Sequence, residues 1–175
     1  MSDFETFEHQ GHRIAYRIHG ADNPDGRTLV LIHGLLMNSH MFDALGPEMA
    51  RDGNRVVCID LLGHGHSDAP ADFSLYSMTA FGEQVVALLD HLGIDRAVIG
   101  GTSLGANVSL EVAVARPDRV RGLFIEMPVL DNALVAVAVA FTPVLVASTL
   151  GAPLLRGVSA LAQRIPRSHH LADIA

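Results

Sequence analysis

Four short runs of this chain, 28–33, 55–60, 96–100 and 120–126, are apolar at most positions, and between them 41–52, 77–92 and 103–116 carry apolar side chains at helical spacing. Uniformly apolar strands are covered on both faces, and their alternation with helices predicts an α/β fold: a mostly parallel sheet with helices on both sides. Ahead of them, 4–8 and 13–19 alternate in polarity about Gln10-Gly11, as a β-hairpin does, and 21–26 reads as a turn. After Pro128 the strand pattern stops. The remainder reads as apolar helical stretches broken at Pro143, Gly151-Ala152-Pro153 and Pro166, so the chain divides into an α/β core, 1–128, and a helical region, 129–175.

Composition narrows the class. With 49% hydrophobic and 18% charged residues in 175, the chain is globular, not disordered. The net charge is -7 and the twelve basic residues, all arginine, form no cluster, so nucleic acid is not an expected partner. Cys58 is the single cysteine and lies in the run Val56-Val57-Cys58-Ile59, which reads as a small core residue and leaves no disulfide framework. Met1-Ser2-Asp3-Phe4-Glu5 is acidic and lacks the regions of a secretory signal, so a cytoplasmic location is expected. Residues 133–150 (ALVAVAVAFTPVLVASTL) are uncharged and approach a membrane span in length. Pro143 and the hydroxyls of Thr142, Ser148 and Thr149 favour a pocket-lining helix instead, and membrane association is not expected.

The chemistry concentrates where the third apolar run ends. Val98-Ile99-Gly100-Gly101-Thr102-Ser103-Leu104-Gly105-Ala106 is a strand that turns into a helix through Gly-x-Ser-x-Gly. So abrupt a reversal forces the turning serine into a strained backbone region, and Gly101 and Gly105 leave room for the crowding. Ser103 then sits at a helix N-terminus, where unpaired N–H groups and the dipole favour developing negative charge. Its hydroxyl is a candidate nucleophile, and the Leu104 N–H a candidate oxyanion donor.

Two further strand ends carry glycine loops. His33-Gly34-Leu35-Leu36-Met37-Asn38 follows the first run, and because the carboxyl ends of parallel strands border the ligand crevice, this loop is expected to face Ser103. Gly34 permits close backbone approach, and the Leu35 N–H becomes the second candidate oxyanion donor. His33, directly at the strand end, reads as a hydrogen-bonding partner of the loop backbone, not as a general base. Asp60-Leu61-Leu62-Gly63-His64-Gly65-His66-Ser67-Asp68 follows the second run. His64, His66 and Asp68 are a formal metal set, but further ligands are lacking, so the loop reads as a structural turn and no metal is expected.

Taken together, His33-Gly34-Leu35, Asp60-x-x-Gly63-His64-Gly65-x-Ser67 and Gly101-Thr102-Ser103-Leu104-Gly105, in this order and each at a strand end, resemble the α/β-hydrolase superfamily over about 12–128. The resemblance implies an active site at the carboxyl edge of the sheet, with Ser103 as nucleophile, and a helical cap inserted after the strand ending near Glu126. Such a cap would account for the apolar helices from Leu130 onward. Serine at this position separates the chain from the superfamily's dehalogenases and epoxide hydrolases, which use aspartate. Carbon–carbon bond hydrolases, acyltransferases and cofactor-free perhydrolases share the serine and stay open.

A serine hydroxyl needs a histidine to remove its proton and a carboxylate to orient that histidine. The resemblance implies the chain order serine, acid, histidine. After Ser103 the only histidines are His169 and His170, with no strand before them, and they read as polar residues at a cap-helix end. The base histidine and at least two strand–helix units that the resemblance implies are therefore expected to be absent from these 175 residues. Glu126 is the candidate acid, against a supporting or cap-hinge role, and Asp131 is the second choice. The expected function is an esterase-like serine hydrolase, acting through an acyl-enzyme at Ser103 on a small molecule with an apolar acyl group, without metal or organic cofactor. One alternative is a catalytically inactive, truncated hydrolase-fold protein that binds a small apolar ligand or a partner; another is a protein anchored to a membrane through 133–150. Missing strands would leave an unpaired sheet edge and favour self-association.

Overall fold

The computed structural model describes residues 4–20, 27–129 and Thr142. The chain divides into two compact units, Met1–Val129 and Leu130–Ala175, and the second lies, apart from Thr142, outside the described residues. Asp131, His169, His170 and all of 133–150 except Thr142 fall there, as does the expected turn at 21–26.

Six strands form one sheet: β1 (Glu5–His9), β2 (His12–His19), β3 (Thr28–Ile32), β4 (Arg55–Asp60), β5 (Ala97–Thr102) and β6 (Val120–Glu126). Their order is β1-β2-β4-β3-β5-β6; β4, β3, β5 and β6 run parallel, and β2 is antiparallel to both β1 and β4. Gln10 and Gly11 join the hairpin with φ 51° and 78°, the left-handed pair that a two-residue turn between twisted strands requires. Among the described residues three α-helices accompany the sheet: α1 (Leu45–Arg51), α2 (Met78–His91) and α3 (Leu104–Ala115).

Alternation along the central strands distributes side chains to two faces. Val30, Ile32, Val57 and Ile59 pack with Phe81, Val85 and Leu88 of α2 and Val108 and Val112 of α3. On the other face Leu31, Val56 and Cys58 pack with Phe42, and Met41 and Met49 close over them. Each such side chain contributes roughly 1.5–3 kcal/mol on burial. The ends of β3, β4 and β5 therefore stand on a closely packed base.

Two expectations are corrected. The helix predicted over 41–52 is split into a 3-10 turn, Ser39–Phe42, and α1. The Asn38 side chain accepts the His40 N–H at 3.0 Å and starts the turn early, while Pro47, which lacks an N–H, is accommodated in the first turn of a helix beginning at Leu45. The second correction concerns β6, expected to be covered on both faces. Leu123 and Phe124 are 42% and 46% exposed, because β6 lies at the edge with only β5 beside it among the described residues.

Candidate active site

Ser103 is the pivot between β5 and α3. Its backbone, φ 54° and ψ -110°, lies in a region that side-chain-bearing residues rarely enter, and it is the N-cap of α3. The neighbouring glycines explain how the turn closes. A Cβ on Gly101 would lie 2.1 Å from the Ile32 carbonyl oxygen, and one on Gly105 2.0 Å from the same atom. Only glycine at both positions lets the Ser103 turn sit against the end of β3. Within α3 the Ser109 hydroxyl donates to the Gly105 carbonyl at 2.7 Å.

The loop after β3 meets this turn. A Cβ on Gly34 would be 3.6 Å from the Thr102 carbonyl and 4.0 Å from Ser103 Cβ, so the His33-Gly34-Leu35 segment and Ser103 face each other. Leu104 opens α3, so its N–H belongs to the first turn, which no preceding helical carbonyl reaches. The Gly34 carbonyl accepts the Met37 N–H at 3.1 Å and is 2.8 Å from His33 Nδ1. In a trans peptide the N–H points opposite the carbonyl, so fixing Gly34 O also fixes the direction of the Leu35 N–H.

His33 is fully buried and both ring nitrogens are engaged. Leu61 N–H donates to Nε2 at 3.1 Å, so Nε2 carries no proton and Nδ1–H donates to Gly34 O. Burial pushes the imidazole pKa below its ordinary 6.5, with the backbone bond to Gly34 opposing. A neutral ring committed at both nitrogens holds a loop and is not a base. The depressed pKa has a thermodynamic sign: His33 contributes stability fully present above pH 6.5 and lost as pH falls toward the folded-state pKa, because the unfolded chain takes up the proton first. Thermal unfolding between pH 7.5 and 5.5 is therefore expected to show a steeper loss for the natural chain than for His33→Gln; equal slopes would refute the assignment.

Glu126 closes the other side of the Ser103 turn. Its backbone oxygen accepts the Ser103 N–H at 2.9 Å and its Oε2 accepts the Thr102 hydroxyl at 2.6 Å. The side chain is thus anchored by one oxygen at the carboxyl edge of the sheet. Just beyond, Asn107 in α3 donates to Val129 O at 2.9 Å and accepts from Val129 N–H at 2.8 Å. Among the described residues no imidazole is bonded to Ser103.

The histidines of the third loop go to separate partners. His64 Nδ1 lies 3.1 Å from the Leu62 carbonyl and its ring 4.8 Å from that of His33. His66 stacks on Phe4 at 3.7 Å, and Asp68 binds the Arg13 N–H at 2.8 Å. No group of three His, Cys, Asp or Glu arranged for a metal occurs among the described residues. An open groove of about 470 Å³ between α2, α3 and the hairpin, lined by His9, Glu83, Asp90 and Glu111, includes no residue of the loops around Ser103. Cys58 is buried, which pushes its thiol up to about 12 and leaves it unreactive.

Sequence reading missed three features: the buried Asp60 carboxylate, the Thr102–Glu126 bond and the Asn107 clamp on Val129. For Asp60 the signals were its place at a strand end and at the head of the Asp60-x-x-Gly63-His64-Gly65-x-Ser67 motif.

A strand–serine–helix turn with a glycine loop facing it at the carboxyl edge of a parallel sheet defines the hydrolase-fold class. The sequence matches the family described as alpha/beta hydrolase fold over residues 27–173, and the chain belongs to that family. It is 36% identical over 107 residues to haloalkane dehalogenase 2 of Mycobacterium tuberculosis, covering 61% of this chain and 37% of that protein. To an epoxide hydrolase of Caballeronia sordidicola it is 33% identical over 107 residues, 61% and 32% of the two chains. Among solved structures, Est816, described as an N-acyl homoserine lactone degrading enzyme, superposes with a TM-score of 0.63 at 34% identity, covering 69% of this chain and 44% of that one. The chain spans only 42% and 32% of the length of two further relatives, from Bacillus subtilis and Mycobacterium bovis. Among the described residues no helix is long and apolar enough to cross a membrane.

Proposed function

We propose that this chain carries the nucleophile and oxyanion hole of a serine hydrolase that cleaves a carboxylic ester or related acyl bond. The observation that carries the reading is Ser103, held at φ 54° at the N-terminus of α3 against the loop bearing Leu35. In the proposed reaction the Ser103 hydroxyl adds to the acyl carbonyl carbon while a general base takes its proton. The resulting oxyanion is held by the N–H groups of Leu35 and Leu104. Collapse expels the alcohol with that proton, and water then releases the acid and regenerates the serine.

Relatives in this family include a dehalogenase, an epoxide hydrolase and a lactone-degrading enzyme. Serine at position 103 favours the acyl chemistry of the last, since the resemblance assigns aspartate to the other two. Exposed Leu35, Leu36 and Met37 beside the oxyanion loop favour an apolar acyl group. Glu126 is proposed as the acid orienting the base, through the carboxylate oxygen that Thr102 leaves free. A helical cap over 129–175, a cytoplasmic location and the absence of any metal or organic cofactor belong to the same proposal.

The test is covalent labelling by a fluorophosphonate of the intact gene product containing these residues, and of its Ser103→Ala variant. Labelling lost with Ser103→Ala supports the reading, and labelling retained overturns it. A second reading, an inactive binding protein for a small apolar ligand or a partner, is favoured by the lack of an imidazole on Ser103 among the described residues; it predicts no labelling of either form. Because β6 exposes Leu123 and Phe124 at the sheet edge, the 175-residue chain expressed alone is expected to self-associate. A monodisperse monomer by light scattering would contradict that.

A further inference from the structure

The most deeply buried carboxylate near the candidate site is one the proposed chemistry does not use. Asp60, the last residue of β4, is fully buried, and each of its oxygens is taken. Oδ1 accepts the Ser39 N–H at 2.6 Å; Oδ2 accepts the His66 N–H at 2.8 Å and lies 3.4 Å from His66 Nδ1. The Ser67 hydroxyl donates to the Asp60 carbonyl at 2.5 Å while accepting the Ala15 N–H at 2.8 Å. A Cβ on Gly65 would lie 2.1 Å from Oδ2, so the Gly63-to-Ser67 turn is a mould built around this carboxylate. The loop carrying His64, His66 and Asp68 is built to seat Asp60.

A carboxylate buried this deeply is held only where its bonds offset the burial. Ser39 ends the loop that begins at His33, and that loop carries the Leu35 N–H. Leu61, the next residue after Asp60, donates its N–H to His33 Nε2, and His33 in turn holds the Gly34 carbonyl. One dipeptide at the end of β4 therefore grips both ends of the β3 loop: Leu61 through His33 at the start, Asp60 through Ser39 at the finish. Arg17 adds a bond to Ser39 O at 3.0 Å, so both backbone groups of Ser39 are fixed. Between the two grips the loop contains Leu36 at φ 62°, a conformation a free loop would leave.

We propose that Asp60 is a positioning residue for the oxyanion hole: through the Ser39 N–H it tensions the His33–Ser39 loop and so sets where the Leu35 N–H points. The proposal rests on the serine-hydrolase reading above. Oxyanion donors act only when they lie about 2.7–3.1 Å from the developing charge, and a displacement of about 1 Å can cost around a hundredfold. Loss of the grip thus weakens stabilisation of the oxyanion more than it weakens substrate binding.

The experiment compares kcat/KM of the intact gene product on a carbonyl ester and on its thionoester, in which sulfur replaces the carbonyl oxygen. A hole set for oxygen discriminates against the larger, weaker acceptor, and the ratio of the two rates is independent of how much of a preparation is folded. Asp60→Asn is expected to lower that ratio by roughly tenfold or more. Ser39→Pro, which deletes the N–H at the first position of a 3-10 turn behind an extended Asn38 (φ -151°, ψ -176°), is expected to do the same and decides the matter if Asp60→Asn does not fold. Asp68→Asn, whose carboxylate binds Arg13 and not the loop, is the control and should keep the natural ratio. Natural ratios in both Asp60→Asn and Ser39→Pro overturn the proposal while Ser103 remains the nucleophile. Undiminished ester hydrolysis by Ser103→Ala overturns the serine reading and this proposal with it.

Discussion

Replacing Ser103 with alanine in the intact gene product should lower kcat on an activated ester by about 10⁵-fold or more, with little change in folding stability. The neighbouring hydroxyl is already engaged: the Thr102 O–H donates to Glu126 Oε2. The proposed oxyanion donors at Leu35 and Leu104 are backbone groups and survive the change, so a residual rate above the uncatalysed one is expected. Stability supplies an independent check, because alanine keeps the cost of φ 54° while glycine removes it. Ser103→Gly should therefore be as inactive as Ser103→Ala yet more stable by about 1 kcal/mol in chemical denaturation. That pairing would show strain retained at a position where only the chemistry needs a side chain. Activity in Ser103→Ala within tenfold of the natural protein would remove the nucleophile assignment.

The features legible in the sequence were those encoded locally. The elbow needs two glycines flanking a serine between a strand and a helix, and all five residues lie together at 101–105. Strand and helix positions followed from unbroken or helically spaced apolar runs, and the hairpin followed from Gln10-Gly11. What escaped was carried by contacts between distant positions. Asp60 and Ser39 are separated by 21 positions, Thr102 and Glu126 by 24, and no periodicity announces either pair. The exposure of Leu123 and Phe124 was equally hidden: an unpaired edge was expected from missing strands, but Val120–Glu126 has the composition of a buried strand, and only the sheet order assigns the edge to β6. The split of the 41–52 helix turned on a side-chain cap at Asn38, outside the periodic stretch. His169 and His170 lie outside the described residues, so their expected place at a helix end meets no structural observation.

The largest stability effect expected is at Gly105. Alanine is the better helix former by about 1 kcal/mol, so Gly105 inside α3 looks at first like a position to improve. Its added Cβ would, however, stand 2.0 Å from the Ile32 carbonyl oxygen and 2.9 Å from that of His33, both of them backbone atoms. Neither can swing aside as a side chain would: Ile32 is the end of a central strand paired with β4 and β5. Helix α3 would have to lift from β3, taking Ser103 away from the Gly34 loop. Gly105→Ala should thus cost about 3 kcal/mol or more and abolish labelling at Ser103 even where the protein remains folded. Gly82, in the middle of α2, provides the contrast. There the nearest neighbour of an added Cβ is Glu111 Cγ at 3.2 Å, the stem of a flexible side chain, so helix propensity should prevail and Gly82→Ala should be neutral or stabilising by up to about 1 kcal/mol. Opposite signs at two helical glycines, read by urea denaturation, would locate the constraint in the contact between α3 and β3. A Gly105→Ala protein as stable as the Gly82→Ala one would mean that the nucleophile turn is not seated on the end of β3.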